Sequence, residues 1–139
     1  MIRHAKGADG WLDTNVIVRF LLNDSPDHSS RARQLVERAE RGETSLHIRA
    51  YTLCETVYVL ENHGFTRHEI VDALSRFLAI PGINVDNLPL VQLSLKRYQD
   101  LNVDFCDALL YTECTNEDAT VLTFNKRHFS RLGSGWREP

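Results

Sequence analysis

"WLDTNVIVRFLLN", residues 11–23, decides how this chain is read. Trp11 and Leu12 form a very short strand candidate, Asp13 opens a turn, and the apolar residues that follow suit a helix. The same alternation recurs downstream. "TSLHI" (44–48) reads as a strand before the mostly apolar helix "AYTLCETVYVLENHG", which ends at Gly64. "INV" (83–85) precedes the helix "LPLVQLSLKRYQDL", and "ATVLTF" (119–124) is the clearest strand, followed by a basic tail. Between them, "DSPDHSSRARQLVERAERG" is helical, with Pro26 in its first turn and Gly42 at its stop. "TRHE" (66–69) is a capping box that starts a helix closed by Pro81 and Gly82. A further helix begins near Asp104 in "NVDFCDALLYTEC". Strands separated by helices need crossover connections, so the expectation is an α/β fold with a mostly parallel sheet covered on both faces. Ligands of such sheets sit beyond the carboxyl ends of the strands.

Composition narrows the function. With 139 residues the chain has the length of one domain, residues 1–10 being an irregular tail. A net charge of −3 disfavours a surface that is basic all over, so any nucleic-acid contact must come from a local patch. No apolar run approaches the roughly 20 residues of a membrane helix, and "MIRHAKGADG" lacks the apolar block of a signal peptide. The expected compartment is therefore the cytoplasm. Cys54, Cys106 and Cys114 form no CxxC and read as small apolar residues in a reducing compartment. The six histidines show no zinc-binding spacing.

What remains is a set of acids near strand ends. Asp13 follows the first strand, where an aspartate serves either as N-cap or as part of a site. Glu55 is the only charged residue between Arg49 and Glu61, so it lies either on a narrow exposed stripe or beside a partner. A buried carboxylate without a partner would cost several kcal/mol, an amount that a divalent cation would offset. Asp104 and Asp107 sit three apart, which suits an N-cap with its N3 acid and also places both on one helix face. Asn125, after the last strand, is a turn residue or a neutral oxygen ligand. Oxygen donors without a Cys–His pattern select a hard ion such as Mg²⁺ or Mn²⁺. Such a pocket takes phosphate oxygens as further ligands, which points to phosphodiester chemistry.

The segments "LDTNVIVRFLL", "CETVYVLE" with "GFTRHEI", "VDFCDALL" and "TFNKRHFSRL" together resemble a PIN-domain ribonuclease of the VapC toxin type. The resemblance spans about residues 11 to 132 and implies a three-layer α/β/α sandwich with a mostly parallel central sheet. It also implies Mg²⁺ or Mn²⁺, endonucleolytic cutting of RNA (transfer, ribosomal or messenger), a homodimer, and inhibition by an antitoxin protein. By position, Asp13 and Asp107 correspond to metal ligands, Glu55 to a glutamate that ligates or holds a water, and Asp104 to an additional acid. Thr14 and Asn15 correspond to the turn that orients Asp13. Two departures stand out: Asn125 replaces the usual aspartate, and "KGADG" shortens the first strand.

Positive charge for substrate is expected from Lys126 and Arg127, with Arg131 and Arg137 beyond them, from Arg19, and from Arg3 or Lys6. Tyr51, Tyr58 and Phe65 are candidates for a dimer or antitoxin face. A PIN-like RNA-binding module without catalysis is the competing reading. A receiver-type phosphotransfer domain is disfavoured, because "LDTN" lacks a second nearby aspartate.

Overall fold

The computed structural model describes residues 9–139, which divide into two compact units, residues 9–86 and 87–139. The expected contribution of Arg3 and Lys6, and most of the 1–10 tail, lie outside the described residues.

In the first unit the order is β1 (Gly10–Trp11), α1 (Thr14–Leu22), α2 (Pro26–Glu40), β2 (Leu46–Ile48), α3 (Ala50–Asn62), α4 (Arg67–Leu78) and β3 (Ile83–Val85). The strands are parallel in the order β1-β2-β3, with Trp11 opposite His47 and Ile48 opposite Val85. β1 starts one residue earlier than expected and Leu12 leaves the ladder, although its amide still donates to His47 O at 2.8 Å. β2 likewise starts at Leu46 rather than Thr44. Local chemistry sets the helix ends as read. Pro26 stands at the start of α2, and Gly42 and Gly64 adopt φ of 80° and 89° past the ends of α2 and α3. Both bonds of the capping box form, Glu69 N to Thr66 Oγ1 at 3.1 Å and Thr66 N to Glu69 Oε1 at 2.9 Å. The Ser29 hydroxyl donates to Arg19 O at 2.8 Å and ties α2 to the end of α1. Ile17, Val18, Leu53, Val57, Ile70, Leu74 and Phe77 are buried, each contributing roughly 1.5–3 kcal/mol. Before β3, Gly82 has φ of 87°, and a Cβ there would stand 2.4 Å from the carbonyl oxygen of Ala39.

In the second unit α5 (Leu88–Leu101) and α6 (Phe105–Asn116) are followed by β4 (Val121–Leu122), α7 (Lys126–Leu132) and β5 (Trp136–Arg137). Asn102 ends α5 with φ of 54°, a left-handed stop that lets Asp104 begin α6 two residues later. Tyr98 and Phe105 are fully buried and meet edge to face at 6.0 Å. Two expectations need correction here. The strand expected over 119–124 pairs only at Val121–Leu122, because its parallel partner β5 is itself two residues long. The supposed basic tail is ordered as α7 and β5, with Phe129 and Leu132 buried.

Candidate active site

Asp13 occupies the N-cap position of α1 with extended backbone, φ −90° and ψ 160°. Its carbonyl accepts from Val16 N at 3.1 Å, so the backbone starts the helix. Its side chain makes no capping hydrogen bond, and the carboxylate is exposed. The N-cap position and the free carboxylate are therefore both real. The next residue, Thr14, is buried and reaches across to α3: its hydroxyl lies 3.2 Å from Glu55 Oε1 and 3.5 Å from Thr52 O. Thr14 thus bonds to Glu55 and also stands in the turn directly after Asp13.

Glu55 is exposed, on a face of α3 where Tyr51 and Tyr58 are also exposed. The exposed-stripe alternative holds, with one partner added, while Thr52 is buried. Asp13 and Glu55 line one open cleft of about 320 Å³ with Trp11, Arg49, Tyr51 and Thr52. Within that lining, Arg49 Cζ lies 4.4 Å from the Trp11 ring centroid, and Arg49 Nη1 lies 3.6 Å from Asp86 Oδ2. The His47 ring packs 4.3 Å from that of Trp11, and its Nε2 stands 3.0 Å from Asp86 Oδ1 without a hydrogen bond.

The second unit treats its acids differently. Asp104 caps α6, its Oδ1 accepting from Asp107 N at 3.2 Å. Asp107 is half-buried, and its Oδ2 accepts from Asn125 Nδ2 at 3.2 Å. The same oxygen lies 2.8 Å from His128 Nδ1. Asn125 in turn caps α7, its Oδ1 accepting from His128 N at 3.2 Å. His128 was missed by sequence reasoning. The available signal was its place three residues after an asparagine that suits an N-cap.

The expected basic residues are partly neutralised. Arg19 is bound to Asp24 at 2.6 Å, which holds the Asp24 carboxyl below its ordinary value. Arg19 and Asn15 line a separate groove of about 810 Å³ with Val16, His28, Arg31 and Leu35, apart from the Asp13 cleft. Lys126 stands 3.6 Å from Glu138, whereas Arg127 is exposed.

Among the described residues no three His, Cys, Asp or Glu side chains make a ready-made metal cluster. Mg²⁺ does not need one, because one or two carboxylates suffice when waters and phosphate oxygens complete the octahedron. Asp13 and Glu55, oxygen donors facing one open cleft, fit that requirement.

A family model for the PIN domain matches residues 11–134, running across both units. This chain belongs to the PIN domain family, whose members are generally nucleases. The α/β class with parallel strands expected from the sequence is that of this family. A crystal structure of VapBC2 from Rickettsia felis, bound to a DNA fragment from its promoter, is similar at 18% identity. The match covers 88% of this chain and 91% of that one, with a TM-score of 0.37. No curated protein matches.

Proposed function

We propose that this protein is a metal-dependent endoribonuclease, the toxin of a VapC-type toxin–antitoxin pair, built as one PIN domain and working in the cytoplasm. The observation that carries the nuclease reading is the Asp13 carboxylate. It stands at a helix start without capping it and shares an open cleft with a glutamate held by Thr14. The toxin assignment rests on the resemblance of the four sequence segments, and among the described residues no helix is long and apolar enough to cross a membrane.

In this reading Asp13 would hold Mg²⁺ or Mn²⁺ beside Glu55, and Asp107, with Asp104 adding negative potential, is the metal-binding acid of the second unit, as the family resemblance implies. Bound there, the ion supplies Lewis acidity and neutralises charge developing on the phosphate. Glu55 orients the attacking water and accepts its proton, and Thr14 fixes the carboxylate that does so. Asn125 and His128 fix Asp107, as outer partners of metal ligands commonly do. Arg127 and Lys126 meet the RNA backbone, with Arg19 a further contact once released from Asp24. The exposed Tyr58 and Phe65 suit a homodimer or antitoxin face. Water as nucleophile leaves a 5′-phosphate and a 3′-hydroxyl.

One observation favours a second reading, a catalytically weak RNA-binding module. Asn125 brings an amide where the family's pattern has an acid, and that amide occupies an oxygen of Asp107. Purified protein incubated with total RNA and Mg²⁺ or Mn²⁺, its products mapped by end sequencing, separates the two. Discrete cuts that vanish with chelator and with Asp13→Asn are the result expected of the nuclease. Metal bound in calorimetry without any cutting is the result expected of the module.

A further inference from the structure

Among the described residues Arg49 is the one cationic side chain that lines the cleft of Asp13 and Glu55. The sheet places it there. Ile48 pairs with Val85 at the carboxyl ends of β2 and β3, so the next residues, Arg49 and Asp86, leave the sheet side by side. Ligands of parallel sheets gather at such ends. Arg49 Nη1 stands 3.6 Å from Asp86 Oδ2, and the guanidinium lies 4.4 Å from the centroid of the Trp11 ring. Asp86 is itself engaged on its other oxygen, with Oδ1 3.0 Å from His47 Nε2. Among the described residues Arg49 forms its ion pair with Asp86 and with neither acid of the cleft.

A cation and two carboxylates that share a cleft would ordinarily pair and cancel one another. Here a third carboxylate, outside the cleft lining, draws the cation aside and leaves Asp13 and Glu55 open to a metal ion. The guanidinium is held without being used up. Stacking on Trp11 occupies its flat face, whereas its N–H donors lie in its plane. The Asp86 contact, at 3.6 Å, is an ion pair too long for a hydrogen bond, and the Arg49 side chain is 52% exposed. We propose that Arg49 binds a phosphate of the RNA strand in this cleft, and that Asp86, with Trp11, is the positioning residue that keeps the guanidinium off Asp13 and Glu55. This rests on the nuclease reading and adds to it a substrate-contact residue and the device that separates it from the metal-binding acids. Paired N–H donors of a guanidinium match two oxygens of one phosphate, which a lysine ammonium does not do.

The full-length protein in chelator is titrated with a labelled RNA oligonucleotide at a series of KCl concentrations, binding being read by anisotropy. A parallel assay with Mn²⁺ measures cutting of the same RNA. Arg49→Gln is expected to weaken binding about tenfold, the low end for a hydrogen bond to a charged group. It should also flatten the dependence of log K on log[KCl] by about 0.7, one phosphate contact on a single strand. Arg49→Lys, which keeps the charge without the paired donors, should keep the slope and lose part of the affinity. The sign of the Asp86→Asn effect decides the positioning role. Loss of an acid would tighten RNA binding through net charge alone, whereas release of Arg49 onto Asp13 and Glu55 weakens it; weaker binding is expected. Combined with Arg49→Gln, Asp86→Asn should cost nothing further, because Asp86 acts through Arg49. Both side chains are more than half exposed, so neither change removes core. Unchanged affinity and slope in Arg49→Gln, with the parent cutting RNA, would overturn the phosphate contact and leave the nuclease standing. The expected binding pattern without any cutting would sustain the contact and sink the nuclease reading. Tighter binding by Asp86→Asn would end the positioning role.

Discussion

Asp13 and Asp104 hold the same position in two units of the molecule, the N-cap of a helix, and use it in opposite ways. Asp104 gives an oxygen to the third amide of α6, whereas the side chain of Asp13 bonds to no amide of α1. Their neighbours follow the same division. Glu55 has a single hydroxyl partner, while Asp107 is bound by both Asn125 and His128. A carboxylate already satisfied by backbone or side-chain donors stabilises its helix. One left without a cap bond contributes little to stability and is available to a cation. Residue type and position do not separate the two cases; only the hydrogen bonds do.

The largest effect is expected where the carboxylate is available. Asp13→Asn should lower RNA cleavage by at least about 100-fold, the scale of losing one transition-state electrostatic contact. Its melting free energy should stay within about 0.5 kcal/mol of the parent, because no cap bond is lost. A melting loss as large as that of the Asp104 variant would end the contrast. Next comes His128→Ala. Releasing one oxygen of Asp107 should weaken Mn²⁺ binding by about 10- to 100-fold in calorimetry, as loss of an outer partner does. Tighter binding in that variant would mean that the histidine masks the carboxylate.

Asp104→Ala should cost about 1 kcal/mol in denaturant unfolding through loss of its cap, and reduce cleavage less than Asp107→Asn does. The smallest effect concerns Asp24. Arg19 holds its folded carboxyl below the ordinary value, so the stabilisation is present above the ordinary carboxylate range and is lost as pH falls through the lowered value. The melting-temperature difference between the parent and Arg19→Gln should therefore shrink on acidification from pH 7. A constant difference would assign the effect to packing.

The sequence was most legible where chemistry is local. The Thr66–Glu69 box, the extent of β3 and the glycine stops depend on neighbours within a few residues, and all appear as read. It was least legible where a partner lies far along the chain. β4 is short because β5, 15 residues on, is short, and "KRHFSRL" hid α7 because only Phe129 and Leu132 mark its buried face. His128 lies 21 residues from Asp107, so no spacing rule would have joined them. The Thr14–Glu55 contact, 41 residues apart, has the same character. The acids themselves were visible, but which of them was already engaged by a donor was not.

Gly82 bears on how a mutational scan of this protein should be interpreted. Its left-handed φ and the Ala39 oxygen 2.4 Å from any added Cβ leave no room for another residue, and it does not line the Asp13 cleft. On the toxin reading proposed above, a library scored by cell survival would show every substitution there restoring growth, indistinguishable from the signal at an acid that performs the chemistry. Only abundance measured beside survival tells them apart: variants at position 82 should disappear from the cell, and variants at Asp13 should accumulate harmlessly.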